Sequence, residues 1–338
     1  MDQTNLTGHS FCTFFDRGYL SRGLALIESL RAHGDKSYIL VLCLDKETEN
    51  FLKPLAPSLN LALATLDELI AEYPELEAAK QNRSLIEFYF TCSPFILKLS
   101  QKNKPADHLS IYLDADIYFF DDPQGVIREI GDSPVAIIEH NYPWFLKTLA
   151  KKYGKYNVGL LGLRNNNEGC QTLDWWAEQC ISWCHDYPES GKYADQGYLD
   201  SFPQISPNLK VLTNRAFNLA PWNSATSSVQ LNSDKVFVGK NHLNFFHFHG
   251  LRKVGSFWVS SQLNYISPLP RLIFRKIYKP YVRHLEENYE RVCTSIKSGN
   301  AIERKSPGVR GFLAKAAKAI FVGLSFGLGQ TVFEGHKK

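Results

Sequence analysis

Hydrophobic positions in the first part of the chain alternate between helical spacing and continuous apolar runs. Leu20, Leu24, Ile27 and Leu30 recur with the period of a helix, and Gly34 is a typical stop. The apolar runs predict buried strands, of the kind found in parallel sheets that are covered on both faces. These strands are expected at residues 11–15, 38–44, 109–113, 134–138 and 157–163.

Capping signals and prolines predict where several helices begin. Thr65 with Glu68, and Ser84 with Glu87, form capping boxes that open two helices, and Pro94 kinks or restarts the second. Later in the chain the predicted elements are an amphipathic helix over 173–184, short strands at 211–212, 236–238 and 243–249, and a helical block over about 269–292 that Pro280 interrupts. Early alternation and later short strands predict an α/β fold: an open, mixed, largely parallel sheet flanked by helices.

The chain divides into three parts by pattern. We expect a main domain over residues 1–265, a C-terminal helical extension over 266–296, and a polar linker with an amphipathic basic tail over 297–338. No apolar run is long enough to span a bilayer, which takes about 20 residues. Residues 310–328 of the tail either pack on the main domain or lie on an anionic membrane surface.

Composition and charge narrow the class of protein. The 338 residues are 44% hydrophobic and 21% charged, with a formal net charge of +4, which is too mild to indicate nucleic acid as a partner. Seven cysteines with scattered spacing favour reduced thiols in the cytoplasm, although Cys180 and Cys184 are expected to share a helix face. The first ten residues are polar and lack the apolar core of a secretory signal.

Two segments carry the candidate chemistry. Asp114 and Asp116 follow a buried strand, face the same way in an extended chain, and are suited to a hard divalent cation that bridges phosphates. Far downstream, His247 and His249 share one face of a strand and precede Gly250, which allows close backbone approach. Imidazole is a common ligand of borderline divalent metals, so these four side chains are candidate metal ligands. The alternatives are a solvated aspartate turn and two ordinary histidines.

Together these segments resemble the GT-A glycosyltransferases, especially the family 8 group that includes glycogenin and bacterial lipopolysaccharide galactosyltransferases. In that family an Asp-x-Asp and a distant histidine hold manganese on the donor diphosphate. His247, Gly250 and Lys253 match its His-x-x-Gly-x-x-Lys motif, whereas Val254-Gly255 replaces the Pro-Trp that usually follows. The resemblance covers about residues 10–255, and it is closer still to poorly characterised bacterial nucleotide-sugar transferases.

The resemblance implies a role for each further match. Residues 1–265 would be a GT-A catalytic domain with a Rossmann-like nucleotide-binding half. Thr13, Asp16 and Tyr19 would meet the base and ribose of the donor, and Asp114, Gly250 and Lys253 its diphosphate. Asn157 would contact the donor from the strand that borders the acceptor, and Asp195 and Gln196, near the reacting carbon, would be the catalytic residues. Trp222-Asn223 resembles the family's Trp-Asn turn. Each of these residues also has a purely structural reading as a cap, turn or core residue.

The expected function is therefore a metal-dependent hexosyltransferase that uses Mn²⁺ or Mg²⁺. It would move a sugar from a nucleotide-diphosphate sugar, expected to be a UDP-sugar, to a glycan or lipid-linked acceptor with retention. We expect the protein to be located in the cytoplasm, or bound peripherally at the inner face of the membrane. The rivals are a nucleotidyltransferase on a related fold and a catalytically silent sugar-binding or scaffold protein.

Overall fold

The computed structural model describes residues 8–254, 257–295 and 331–332. The strands are β1 His9–Phe15, β2 Ile39–Cys43, β3 Leu61–Thr65, β4 Leu109–Leu113, β5 Ile117–Phe119, β6 Val135–Glu139, β7 Tyr156–Arg164, β8 Lys210–Leu212, β9 Val229–Asn232, β10 Lys235–Val238, β11 Asn241–His242, β12 Phe245–His247, β13 Arg252–Val254, β14 Phe257–Val259 and β15 Thr331–Val332. The helices are α1 Leu20–Ala32, α2 Lys46–Leu52, α3 Leu66–Glu72, α4 Glu75–Asn82, α5 Leu85–Thr91, α6 Ser93–Gln101, α7 Gln124–Ile130, α8 Lys147–Tyr153, α9 Asn167–Ser182, α10 Phe202–Ile205, α11 Arg271–Ile273 and α12 Lys279–Ser295. Short 3₁₀ turns lie at Trp144–Leu146, Gln196–Ser201, Ser224–Thr226 and Gln262–Tyr265.

A seven-stranded mixed sheet forms the centre, in the order β3-β2-β1-β4-β7-β6-β8. The first four strands of this order are parallel to one another. β7 runs antiparallel to both of its neighbours, and β8 is parallel to β6. The predicted α/β class with an open, mixed, largely parallel sheet is confirmed.

Successive side chains of β4 point alternately to two hydrophobic layers, one on each face of the sheet. Ile111 and Leu113 pack on one face of the sheet with Ile27 of α1. Tyr112 points to the other face and joins the cluster that contains Trp176 of α9. Every residue of β4 is buried, as expected for a strand covered by helices on both faces.

Local boundary signals predicted several elements correctly. Both capping boxes form, with Thr65 and Ser84 each accepting a bond from a backbone N–H while the paired glutamate bonds back. α6 begins anew at Ser93 with Pro94 in its first turn, which is the restart that the proline predicted.

Two local predictions were wrong. α9 ends at Ser182, so Cys184 lies beyond the helix and cannot share a helix face with Cys180. Pro280 does not interrupt the last helical block, because it lies in the first turn of α12 directly after a π-helical turn at Phe274–Tyr278. A first-turn proline lacks only an N–H that has no helical partner in any case.

The C-terminal helix α12 packs on the main domain. His284 bonds through Nε2 to Glu28 of α1 at 2.7 Å, and Asn288 and Arg291 bind the same carboxylate at 2.9 Å and 2.6 Å. These bonds hold the pKa of Glu28 at about 2, against the opposing effect of its burial. Farther on, β15 adds to the antiparallel sheet β13-β14-β15. The tail segment predicted at 310–328 lies outside the described residues.

Candidate active site

The two aspartates lie where β4 ends, beyond the carboxyl ends of the parallel strands. The backbone N–H of Asp114 donates to the Gly159 carbonyl of the neighbouring β7 at 3.0 Å. The carbonyl of Asp114 then accepts from the N–H of Ile117 at 3.1 Å, which turns the chain into β5. This edge is where ligands bind in open α/β sheets.

A two-stranded antiparallel ribbon brings the downstream histidine to the aspartates. β5 pairs with β12 so that His247 lies opposite Ile117. Just past the ribbon, the N–H of Phe248 donates to the carbonyl of Asp116 at 2.9 Å. The same alternation that points His247 to the aspartates buries Phe246 and Phe248 in a separate hydrophobic cluster, which also contains Tyr278 and Tyr281.

The carboxylates and imidazoles of this region form a compact cluster. His247 Nε2 lies 3.0 Å from Asp116 Oδ1 and 3.5 Å from Asp114 Oδ2. Ligand atoms of Asp116, His247 and His249 all lie within 4.8 Å of one another. Carboxylate oxygens suit Mn²⁺ or Mg²⁺, and imidazole nitrogens are common ligands of divalent transition metals, so this set of side chains could hold a divalent ion. All four predicted metal ligands are thus brought together.

Burial and mutual charge fix the protonation of the cluster. Burial raises the pKa of Asp116, but the attraction of His247 outweighs it and holds that pKa at about 2. The pKa of His247 is raised, because Asp116 and Asp114 together outweigh its burial. Burial and the neighbouring Asp116 raise the pKa of Asp114. A divalent cation would therefore take the place of a proton that His247 holds between the carboxylates.

Small and aromatic residues fix the orientation of His247. A Cβ at Gly159 would lie 2.7 Å from the His247 ring and 2.4 Å from Asn157 Oδ1, so only glycine fits. Trp222 packs edge-on against His247 and His249, with ring centroids 5.1 Å and 5.6 Å apart. The imidazole is therefore held from two sides.

Asn157 and Gln196 form a hydrogen-bonded bridge beside the cluster. Asn157 Nδ2 donates to Gln196 Oε1 at 3.2 Å, and Gln196 Nε2 donates to the Tyr153 carbonyl at 2.8 Å. Asn157 Oδ1 accepts from the N–H of Gly159 at 3.1 Å. Both ends of the Gln196 amide are thus engaged with protein groups.

Asp195 is a buried carboxyl group near the aspartate pair. Burial, together with the negative charge of Asp114, raises its pKa to about 7, while Ser93 and two backbone N–H groups partly offset this. Its carbonyl accepts from Trp176 Nε1 at 2.9 Å, which fixes the backbone here. A carboxyl group with this pKa exchanges its proton near neutral pH.

The residues predicted to meet the base and ribose lie at the end of β1 and the start of α1. Thr13 is 1% exposed, and its hydroxyl has no hydrogen-bond partner in the described part of the chain. Asp16 Oδ1 accepts from the N–H of Tyr19 at 3.2 Å, and Tyr19 is 45% exposed. Burial and then Asp116 raise the pKa of Tyr19, which indicates that it lies near the cluster.

The two other predicted diphosphate contacts follow β12. Gly250 has a φ of +69°, a left-handed conformation that favours glycine. Lys253 Nζ binds Glu286 of α12 at 2.8 Å and lies 4.2 Å from the centre of the Tyr289 ring. The ammonium group predicted to bind phosphate is therefore paired with a carboxylate of the C-terminal helix.

Arg22 is a site residue that the sequence analysis did not single out. Its guanidinium donates to the Leu251 carbonyl at 2.9 Å and lies 4.5 Å from the centre of the Tyr19 ring. Its charge also lowers the pKa of Asp116. The available signal was its position one helical turn after Tyr19, but that spacing is common among surface arginines.

The chain is similar in sequence to two bacterial proteins. No protein-family model matches the chain. Two uncharacterized proteins of Bacillus subtilis (strain 168) are similar: YfnF is 29% identical over 254 residues, which cover 72% of this chain and 82% of YfnF. YfnD is 27% identical over 283 residues, which cover 82% of this chain and 88% of YfnD.

Two solved structures are also similar. The galactosyltransferase LgtC, in complex with donor and acceptor sugar analogs, has a TM-score of 0.51 at 14% identity, covering 82% of this chain and 95% of LgtC. The apo form of mouse xyloside xylosyltransferase 1 has a TM-score of 0.46 at 14% identity, covering 72% of this chain and 98% of that protein. With its mixed sheet and the likeness to LgtC, the chain has the GT-A fold.

Proposed function

We propose that this protein is a metal-dependent glycosyltransferase that moves a hexose from a nucleotide-diphosphate sugar to a glycan or lipid-linked acceptor. The observation that carries the proposal is the meeting of Asp114, Asp116, His247 and His249 at the carboxyl edge of a GT-A sheet. The donor we propose is a UDP-sugar, as the resemblance implies. The unsatisfied Thr13 hydroxyl and Tyr19, which lies close enough to Asp116 to feel its charge, are the contacts that we propose for the base and ribose.

A divalent cation, Mn²⁺ or Mg²⁺, would neutralise the diphosphate charge that develops as the sugar leaves. Asp114, Asp116 and His247 would hold it, and His249 lies close enough to complete the set. Arg22 adds positive charge on the α1 side of the cluster. Lys253 is paired with Glu286, which offsets part of the positive charge that it could offer to a diphosphate.

The part of the proposal that concerns the reacting carbon rests on Asp195 and the Asn157–Gln196 bridge. Glycosyl transfer passes through an oxocarbenium-like transition state, which a nearby carboxylate stabilises. Asp195, buried and close enough to Asp114 to feel its charge, is the group we assign to that role. Gln196 holds Asn157 and the start of β7 in place, and we propose retention with the leaving phosphate as proton acceptor.

The cellular location that we propose is based on the free thiols of the protein and on its proposed donors. No helix in the described residues is both long and apolar enough to cross a bilayer. All seven cysteines lie within the described residues and are free thiols. We propose that the enzyme acts in the cytoplasm, where nucleotide sugars would be its donors.

The test is ligand-dependent thermal stabilisation followed by a transfer assay. UDP and a panel of UDP-sugars are compared with and without Mn²⁺, and metal-dependent stabilisation by one sugar is expected, with release of UDP from it. The Asp116→Asn variant should lose the response. Asp132→Asn, which removes an exposed carboxylate elsewhere, should keep it.

Other outcomes would identify the rival functions. Release of pyrophosphate from a nucleoside triphosphate and a sugar phosphate would indicate a nucleotidyltransferase. A protein that ignores every nucleotide sugar, with or without metal, would be a silent binding or scaffold protein.

A further inference from the structure

The connection between β6 and β7 carries an exposed surface next to the candidate active site. It contains the 3₁₀ turn Trp144–Leu146 and then α8. Trp144 is 78% exposed, the largest exposed fraction among the big hydrophobic side chains of the described residues. No residue of α8 is buried. A tryptophan and a helix that pack so little against their own domain are available to a partner.

The charged side chains of this segment are all basic. Lys147, Lys151 and Lys152 are all exposed, and the stretch from Trp144 to Tyr153 contains no acidic residue. Phe145, half-buried, lies edge-on to Trp144 with ring centroids 5.5 Å apart. We define the α8 surface as Trp144, Phe145, Lys147, Lys151 and Lys152.

We propose that the α8 surface docks the protein on an anionic lipid bilayer. Tryptophan favours the boundary between headgroups and acyl chains, because its ring is apolar and its N–H is polar. Lysines near an anionic leaflet each add attraction, and their long stems let the ammonium reach headgroups. A second protein is a poorer fit, because protein interfaces are depleted in lysine.

The α8 surface is rigidly connected to the candidate active site. The carbonyl of Tyr153, the last residue of α8, accepts a hydrogen bond from Gln196 Nε2. The ring of Tyr153 packs edge-on against that of Tyr193, with ring centroids 4.7 Å apart. Directly after it, the N–H of Lys155 donates to Asp200 Oδ1 at 2.8 Å. A bilayer bound by the α8 surface would therefore lie beside the sheet edge that carries the metal cluster.

If the proposed function holds, this location also gives the enzyme its acceptor, because an acceptor attached to a lipid would reach the site from the bilayer. Docking itself needs neither donor nor catalysis. The α8 surface lies wholly within the described residues and includes none of residues 310–328.

The experiment measures vesicle binding of the full-length protein without nucleotide. Sedimentation with vesicles of phosphatidylcholine alone is compared with vesicles that also contain phosphatidylglycerol. We expect binding only to the anionic vesicles, and a weakening on the order of 100-fold when Lys147, Lys151 and Lys152 are all changed to Gln. The matched control changes Lys53, Lys80 and Lys240, which are also exposed, to Gln and should bind as the wild type.

The depth to which Trp144 enters the bilayer is measured separately, by quenching of tryptophan fluorescence with brominated lipid. We expect the Trp144→Phe variant to lose most of the quenching, while circular dichroism shows that it keeps its fold. Wild-type protein that fails to bind anionic vesicles would overturn the proposal. So would equal binding by the triple-lysine variant and its control. Transfer activity on soluble acceptors is not expected to change, so failure of docking and failure of the proposed function are distinguishable.

Discussion

Gly159 leaves the space that the imidazole of His247 occupies. A Cβ at this position would lie 2.7 Å from the ring, closer than real Cβ atoms approach other heavy atoms. Gly159 belongs to β7, and its carbonyl also accepts from the N–H of Asp114 at 3.0 Å. One residue of the central sheet thus determines the position of both an aspartate and the histidine.

Gly159→Ala should therefore displace His247 and weaken Mn²⁺ binding by tenfold or more. The added methyl group also overpacks the core, at a cost of about 1–3 kcal/mol in the free energy of unfolding. Metal titration by calorimetry measures the first effect and urea unfolding the second. Gly162→Ala in the same strand is the control, since its Cβ would lie 3.3 Å from Ile130 Cδ1, a contact that a small shift can relieve. Equal metal affinity in both variants would contradict the role given to Gly159.

The contributions of His247 and His249 to metal binding can be distinguished by replacing each histidine in turn. His247 is 1% exposed and lies 3.0 Å from Asp116, whereas His249 is exposed at the rim of the cluster. We expect His247→Ala to abolish measurable Mn²⁺ binding and His249→Ala to weaken it by about tenfold, the effect of losing about 1.4 kcal/mol. Thermal stabilisation by Mn²⁺ is the measurement. The reverse order of effects would make His249 the principal ligand.

Arg22 should contribute to the binding of a diphosphate. We expect Arg22→Met to reduce the affinity for UDP in the presence of Mn²⁺ by tenfold or more, because the guanidinium lies near Asp116 and loss of a charge-assisted hydrogen bond costs about 1.5–3 kcal/mol. Uridine, which lacks phosphate, should bind both proteins alike.

Lys253→Met and Arg215→Met complete the comparison. Arg215 is exposed and serves as the charge control. An effect of Lys253→Met equal to that of Arg22→Met would indicate that Lys253 contributes to diphosphate binding despite its pairing with Glu286. If UDP affinity is unchanged in Arg22→Met, the arginine acts only in holding the Leu251 carbonyl.

Asp195 should make the stability of the free protein fall as pH rises. Its pKa is about 7 in the folded protein and 3.8 ordinarily, so between these values the folded form keeps a proton that the unfolded chain has released. The free energy of unfolding therefore decreases from about pH 4 to about pH 7 through this group. Asp195→Asn cannot lose a proton, and at pH 8 it should be more stable than the wild type by about 2–4 kcal/mol.

Urea unfolding at pH 4.5 and pH 8 measures this difference. The advantage of Asp195→Asn should shrink strongly at the lower pH, while Asp132→Asn should show no such trend. A wild type that is at least as stable as Asp195→Asn at pH 8 would show that the buried carboxylate has partners that favour its charged form. Transfer activity should fall in the Asn variant at pH 8, where Asp195 of the wild type is ionised, and should differ much less at pH 4.5, where it is protonated.

Much of the fold could be predicted because its signals are local. The continuous apolar runs of β2 and β4, and the capping boxes at Thr65 and Ser84, depend on neighbours a few residues away. The two wrong boundaries, at Cys184 and Pro280, concern helix ends, where a single residue's backbone conformation decides the outcome.

The site was predictable as far as its residue types, but not its arrangement. Alternation predicted that His247 and His249 face one side, and the burial of Phe246 and Phe248 confirms that pattern. The pairing of Lys253 with Glu286 depends on how α12 returns to the domain, which no local pattern specifies. Arg22 has no motif, because its role comes from a carbonyl that is 229 residues away.

The ribbon of β5 and β12 has a consequence for biosynthesis. During translation the aspartates leave the ribosome long before the histidines, and until β12 pairs with β5 the carboxylates have no imidazole beside them. Under the proposed function, a chain that ends before β12 therefore lacks the imidazole ligands of the proposed metal site. Acquisition of the metal by a newly made polypeptide would then report that β12 has paired with β5.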